Sequence, residues 1–170
     1  MITRRLFVVS AALLPCAPAH AAAMRDRDPQ AIIAEIYRRE KSGKYEGAFG
    51  LDPKERQKYL SKILIDLWAK ADAKVPNGDA GPIDWDVTTN SQGMEVRSYK
   101  VKVAQRHAAS VSLIVTLTAK TPWLRKSPDE NIVRYHFIRE NGRWVIDDIR
   151  GADDKEKDGL KDLLMRAAED

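Results

Sequence analysis

Asp148 is the residue whose type and position best suit general acid–base chemistry. Alternation along the last predicted strand puts it on the face of Trp144 and Ile146, opposite Tyr135 of the preceding strand. A carboxyl group buried on that face would have a raised pKa and could accept a proton from a substrate. The structural alternative, which we favour, is that Asp148 accepts hydrogen bonds and ties a loop to the sheet. Asp148 and Tyr135 are therefore the catalytic candidates if the protein is an enzyme.

His136 and Asp147 form a second pair that the predicted strand register puts directly opposite each other. An imidazole beside a carboxylate occurs in catalytic triads and in pH switches. No serine is predicted to complete a triad, so a polar cross-strand pair is the favoured interpretation. His107 is the only other histidine beyond residue 21, and we predict no metal site.

A loop rich in Gly and Pro carries Asp84, Trp85 and Asp86. Its acidic residues lack the spacing of a calcium-binding loop. Asp84 and Asp86 are expected to bond backbone amides, with Trp85 filling a gap in the core.

Trp123 and Arg125 occupy another Pro-containing loop. An exposed aromatic residue near an arginine is typical of an interface hot spot, whereas the alternative is that Trp123 folds back onto the sheet. Together with the three residues of the first loop, they form the predicted set for binding a ligand or partner.

Residues 131–150 predict the hairpin that must position these groups. Asn141-Gly142 separates two runs of β-branched and aromatic residues, and this dipeptide favours a two-residue type I′ turn. The turn fixes a register in which each strand residue faces one partner. The predicted pairs are Glu140 with Arg143, Arg139 with Trp144, Phe137 with Ile146, His136 with Asp147, and Tyr135 with Asp148.

Helix signals precede the strands in the chain. Asp28-Pro29 begins a first helix that ends at Ser42-Gly43, and Asp52-Pro53 begins a second whose apolar face extends to Ala71. Alternating patterns at residues 95–103 and 109–118 predict two further strands, and residues 159–168 a short final helix. This order predicts one α+β domain over residues 28–168, with helices packed against an antiparallel sheet of about four strands.

Residues 1–21 have the pattern of a cleaved export signal: a basic start, an apolar stretch, and the cleavage motif Ala19-His20-Ala21. Thr3-Arg4-Arg5 leaves the general and the twin-arginine export routes open. Cleavage lowers the basic count from 29 to 27, against 25 acidic residues, so the net charge falls from +4 to +2. Such a charge argues against nucleic-acid binding. The only cysteine, Cys16, leaves with the signal, and no transmembrane segment is predicted in the remainder.

Three short motifs resemble those of an exported bacterial family called domain of unknown function 3828, in the nuclear-transport-factor-2-like superfamily. They are Leu51-Asp52-Pro53, the loop motif of residues 82–86 with Asn90-Ser91-Gln92, and the strand of residues 144–149. The chain departs from the family pattern at Asp86-Val87 and Gln92-Gly93. The resemblance implies a cone-shaped (cystatin-like) fold with a curved sheet and a periplasmic or secreted location, but no particular reaction.

A non-catalytic binding or accessory domain for an envelope protein is the function we favour. The outer face of the hairpin carries Ile132, Ile138, Val145 and Ile149, so a protein partner or a second copy of the chain is expected to cover it. An isomerase-like enzyme or small-molecule binder with a pocket inside the cone is the second hypothesis. An immunity or inhibitor protein against an envelope toxin is the third. We predict no cofactor.

Overall fold

A computed structural model describes residues 27–42, 52–76, 79, 81–83, 85–120, 131–151 and 159–169. In this part of the chain, four helices and one four-stranded antiparallel sheet form an α+β fold, as predicted. The helices are α1 (Pro29–Lys41), α2 (Pro53–Tyr59), α3 (Lys62–Asp72) and α4 (Leu160–Glu169). The strands are β1 (Val96–Arg106), β2 (Ser110–Ala119), β3 (Ile132–Glu140) and β4 (Arg143–Arg150).

The sheet has the order β1-β2-β3-β4, in which each strand is antiparallel to its neighbours. Asn141 and Gly142 connect β3 to β4 with φ angles of 51° and 77°, as a type I′ turn requires. The predicted register near this turn is confirmed, since Arg139 pairs with Trp144 and Phe137 with Ile146.

A β-bulge at Asp147 changes the register farther from the turn. His136 pairs with Asp148, and Tyr135 pairs with Ile149. The predicted pairing of His136 with Asp147 and of Tyr135 with Asp148 is therefore wrong. Because of the bulge, Ile149 takes the core position that the predicted register gave to Asp148, and it is 4% exposed. Burying the Asp148 carboxylate among apolar side chains would be costly.

The first helix begins and ends as predicted. The Asp28 side chain accepts a hydrogen bond from the Gln30 N–H, Pro29 is the first helical residue, and Ser42 is the C-cap. Such a start satisfies one of the backbone donors that every helix leaves unpaired.

The predicted second helix is divided in two, so its prediction as one continuous helix is wrong. Leu60 is extended and forms a parallel bridge to Ile146, and the Ser61 N–H donates to the Ile146 carbonyl at 2.8 Å. Ser61 Oγ then accepts from the Leu64 N–H and caps α3. The interruption changes the phase of the apolar face, so Ile63, which would lie on that face in a continuous helix, is 49% exposed.

Substituting Ser61 with alanine is expected to lower the free energy of unfolding by about 1–2 kcal/mol. The hydroxyl is fully buried, so its loss leaves the Leu64 N–H without a side-chain acceptor. Urea denaturation measures the change. Ser98→Ala, on an exposed part of β1, should change stability by less than about 0.5 kcal/mol; equal losses for the two variants would contradict the capping role.

The core lies between the helices and one face of the sheet, which we call the inner face. The opposite, outer face carries Ser112 and Ile114 of β2 and Arg134 and His136 of β3. Inner-face residues and helix residues form the core; its largest fully buried members are Trp68, Tyr37, Tyr135, Phe137, Ile33, Leu60, Leu64, Leu113, Ile146 and Leu164. No helix in the described part of the chain is long and apolar enough to cross a bilayer.

Candidate functional site

A groove of about 610 Å³ on the outer face of the sheet is the candidate site, and we call it the bulge groove. All four strands and the start of α4 contribute to its walls. Its charged and imidazole side chains are Arg134, His136, Asp147, Asp148, Arg150 and Lys161. Both signs of charge line it, so it can contact hydrogen-bond donors as well as acceptors.

The bulge brings the two consecutive aspartates to this groove. Asp148 Oδ1 accepts hydrogen bonds from the N–H groups of Ile149 and Lys161, and Asp148 Oδ2 accepts from Arg150 Nε at 2.6 Å. Asp148 thus supplies a carboxylate to the N-terminus of α4, where negative charge is favourable. The structural interpretation, a carboxylate that ties backbone segments together, agrees with these contacts.

Asp147 has one oxygen with a partner and one without. Lys161 Nζ donates to Asp147 Oδ2 at 2.9 Å. Asp147 Oδ1 is buried and accepts no hydrogen bond from any residue that the structure describes. A carboxylate oxygen withdrawn from solvent without a donor is costly, so a donor group that gained access to it through the groove would be bound favourably.

His136 lies beside a serine that sequence reasoning missed. Ser112 Oγ is 3.2 Å from His136 Nδ1, and the two residues pair across β2 and β3. No hydrogen bond joins His136 to Asp147 or Asp148 within the described part of the chain. A triad needs the imidazole to bridge the nucleophile and the acid, and this geometry does not provide the bridge. Strand alternation could have found Ser112, because it puts Ser112 on the outer face of β2.

Isoleucines on the outer face add apolar surface around the groove. Ile114 lines it, Ile132 and Ile138 lie on the same face of β3, and all three are half-buried. Two other predicted members of this apolar surface differ, since Val145 is fully buried and Ile149 is in the core. The apolar area is therefore smaller than predicted.

Tyr135, the second catalytic candidate, lines the bulge groove with Asp148, but its ring and hydroxyl lie on the inner face, away from the carboxylate. Its ring is 1% exposed on the inner face, and its hydroxyl lies 2.9 Å from the Tyr37 hydroxyl. The Tyr37 hydroxyl donates to the Thr88 carbonyl at 2.6 Å. Burial raises the pKa of both tyrosines, so both hydroxyls stay protonated at neutral pH.

Asp86 organises the loop that precedes β1. Its Oδ1 accepts from the Thr88 N–H at 2.8 Å and from Thr88 Oγ1 at 2.7 Å, while its Oδ2 accepts from Thr89 Oγ1. Trp85 is half-buried, packs against the core and lines a separate cavity of about 330 Å³. These contacts fit the expected supporting role of Asp86; partner binding by Trp85 and Asp86 stays a prediction.

Glu40 of α1 joins the same network, and sequence reasoning did not single it out. Thr88 Oγ1 lies 3.2 Å from Glu40 Oε1 and 2.7 Å from Asp86 Oδ1, so one hydroxyl is shared by two carboxyl groups. Burial and the charge of Asp86 raise the pKa of Glu40 to about 8. Glu40 is therefore mostly protonated at neutral pH and can donate to Thr88.

Several predicted features lie outside the residues that the structure describes. Asp84, Trp123 and Arg125 are among them, as is the export signal of residues 1–21, and these predictions stay predictions. Within the described ranges, no group of three or more His, Cys, Asp or Glu side chains is arranged to hold a metal ion.

The chain matches no protein-family model, no curated protein and no solved structure. A function is therefore inferred from the sequence and the geometry of this chain.

Proposed function

We propose that this protein is a non-catalytic binding domain that holds a partner protein on the outer face of its sheet, with the bulge groove at the centre of the contact. The buried, unpartnered Oδ1 of Asp147 carries this proposal. A partner that inserts an N–H or O–H group into the groove would satisfy this oxygen, which no described residue satisfies.

The surroundings of Asp147 suit a protein better than an isolated ion. The half-buried Ile114, Ile132 and Ile138 offer apolar contact near a charged groove. Protein interfaces combine apolar contact with a few well-placed polar groups, and complementary charges across the contact contribute to specificity. The partner is expected to present a lysine, an arginine or a backbone N–H to Asp147.

The contacts of the polar residues favour binding over catalysis. The Asp148 oxygens are occupied by the start of α4 and by Arg150. His136 contacts Ser112 through Nδ1, and no acid among the described residues bonds to its ring. A general base needs an accessible lone pair within reach of a substrate proton, whereas both Asp148 oxygens already accept hydrogen bonds and the residue is buried.

Three finer proposals come from the sequence. The α+β order and the motif resemblance support a cone-shaped nuclear-transport-factor-2-like fold of the domain-of-unknown-function 3828 type. The pattern of residues 1–21 supports export, so the partner is expected in the cell envelope. An envelope toxin neutralised by this protein is one form that such a partner could take.

Substituting Asp147 with asparagine is expected to reduce recovery of the partner at least tenfold, because the variant loses the charge that a donor would neutralise. The measurement is affinity capture from a native envelope extract with tagged protein, followed by quantitative mass spectrometry. A smaller loss is expected for Ile114→Thr, which removes apolar area from the groove wall.

Asp66→Asn is the matched control for this test. Asp66 also pairs with a lysine, Lys62, but on the exposed surface of α3. It should retain the partner as wild type does, while circular dichroism confirms that every variant is folded. Equal capture by wild type and Asp147→Asn, or no stoichiometric partner at all, would contradict the proposal.

A small polar ligand is the second candidate, favoured by the groove volume. About 610 Å³ lies within the usual range of small-molecule sites, roughly 300–1,000 Å³. Native mass spectrometry of protein purified from its own envelope would show an added mass. That mass should disappear in Asp147→Asn and persist in Asp66→Asn.

A further inference from the structure

Strand β1 is a free edge of the sheet in the described part of the chain. It is 11 residues long and lies at one end of the strand order. No described residue pairs with the edge of β1 that faces away from β2. The other edge is different, because Leu60 and Ser61 bond to β4 at Ile146. An open edge of this length is a template on which another extended segment can pair.

The hydrogen bonds at the two ends of β1 identify which backbone groups face outward. The Lys120 N–H donates to the Glu95 carbonyl, and the His107 N–H donates to the Ser110 carbonyl. Bonded and non-bonded pairs alternate along an antiparallel ladder. The pairing of β1 with β2 shifts register at two bulges, one near each end of β1. Counting the bonded pairs inward from either end, across these bulges, gives the same result: Ser98, Lys100 and Lys102 bond to β2.

The residues that alternate with Ser98, Lys100 and Lys102 therefore direct their backbone N–H and C=O groups to the free edge. These residues are Tyr99, Val101 and Val103, which pair with Leu117, Val115 and Leu113 on the inner face. Their side chains are half-buried, so the strand is held in place by the core while its edge is open. A preformed strand of this kind needs little ordering when it binds an extended partner.

The charge of β1 selects what can pair with it. The strand contains Arg97, Lys100, Lys102 and Arg106 and no acidic residue. Lys100 and Lys102 are exposed on the outer face and form no ion pair with any described residue. Pairing with β1 of a second copy would bring cations close to cations, which is unfavourable.

We propose that β1 is a docking edge for an extended acidic segment of a partner, which adds as a fifth strand. Its Asp or Glu residues would lie beside Lys100 and Lys102, and its apolar residues beside Tyr99, Val101 and Val103. This inference goes beyond the bulge groove: it concerns the backbone and charge of β1, and it holds whether or not Asp147 binds a donor.

A fluorescent peptide in which glutamate alternates with valine is the probe. Fluorescence anisotropy should show binding to the purified protein, and Lys100→Glu/Lys102→Glu should weaken this binding at least tenfold. The same double variant should instead bind the peptide in which lysine replaces glutamate. Lys70→Glu/Lys74→Glu, an equal charge change on exposed positions, should bind the acidic peptide as wild type does.

Hydrogen exchange distinguishes strand addition from simple attraction of charges. Bound acidic peptide should slow exchange of the amides of Tyr99, Val101 and Val103. A peptide methylated on its backbone nitrogens should bind weakly and give no such protection. Binding without protection of these amides, or no binding at all, would overturn the proposal.

The variant Asp147→Asn separates this inference from the proposed function. It should bind the acidic peptide as wild type does, even if it fails to capture the envelope partner. Loss of peptide binding in Asp147→Asn would place the peptide in the bulge groove and overturn the assignment to β1.

Discussion

Substituting Gly159 with alanine is expected to lower the free energy of unfolding by about 2–3 kcal/mol. A Cβ atom at this position would lie 2.8 Å from Asp148 Cγ and closer still to both carboxylate oxygens. Asp148 cannot move aside freely, because Ile149, Arg150 and Lys161 hold its carboxylate. The substitution must therefore either displace the start of α4 or break these hydrogen bonds.

Urea denaturation of four proteins tests this explanation: wild type, Gly159→Ala, Asp148→Ala and the double variant. Removing the Asp148 carboxylate makes room for the new methyl group. Gly159→Ala should therefore lower the free energy of unfolding much less in the Asp148→Ala background than in wild type. The control Gly81→Ala should have little effect, since among the described residues its Cβ would contact only the Ile83 carbonyl oxygen, at 4.0 Å. Strictly additive losses at positions 148 and 159 would show that the two residues do not interact.

The same carboxylate shows where sequence reasoning about the hairpin succeeded and where it failed. Asn141-Gly142 fixes the turn by local chemistry, so the first pairs beyond it could be predicted. The bulge results from tertiary competition. A regular register would put Asp148 in the core and Ile149 outside, whereas one extra residue reverses the two. The succession of two aspartates and an isoleucine was a signal that this register was unfavourable.

The division between α2 and α3 could not be read from helix periodicity. Tyr59, Leu60 and Leu64 all fit one apolar stripe, and all are buried. What interrupts the helix is the backbone of Leu60 and Ser61, which pairs with Ile146 at the edge of β4. A long-range bond of this kind leaves no local pattern, although Ser61 is a residue type that favours the N-cap.

Helix periodicity also does not predict where a long charged side chain lies. Arg56 is 8% exposed, with its guanidinium 4.3 Å from the centre of the Trp68 ring. It also bonds to Asp72 of α3. An arginine can bury its stem and stack on an aromatic ring while its charge is paired. Such contacts connect α2 to α3 across the interruption.

The free energy of unfolding is expected to fall as pH rises from about 4.5 to 8, and Glu40 is the cause. In the folded state its pKa is raised to about 8 from an ordinary value of 4.5, because of burial and the charge of Asp86. Between these two values the folded protein holds a proton that the unfolded chain releases, so stability decreases with pH. The loss should approach about 3 kcal/mol, allowing for the partial exposure of Glu40.

Glu35 acts in a different range of pH. Burial raises the pKa of Glu35, but hydrogen bonds from Lys58, Tyr59 and Arg27 outweigh this effect and lower the pKa to about 2. Its contribution is present above pH 4.5 and is lost as pH falls toward 2. The two glutamates together predict maximal stability near pH 5.

Glu40→Gln tests the assignment, because glutamine resembles the protonated carboxyl group and keeps a donor near Thr88. Urea denaturation at pH 5, 6, 7 and 8 and constant ionic strength should give nearly equal stability for the two proteins at pH 5. At pH 8 the variant should be more stable than wild type by about 3 kcal/mol. Glu95→Gln, at an exposed position, should keep the wild-type dependence on pH. If Glu40→Gln also kept that dependence, Glu40 would not be the group that retains a proton in the folded protein between pH 4.5 and 8.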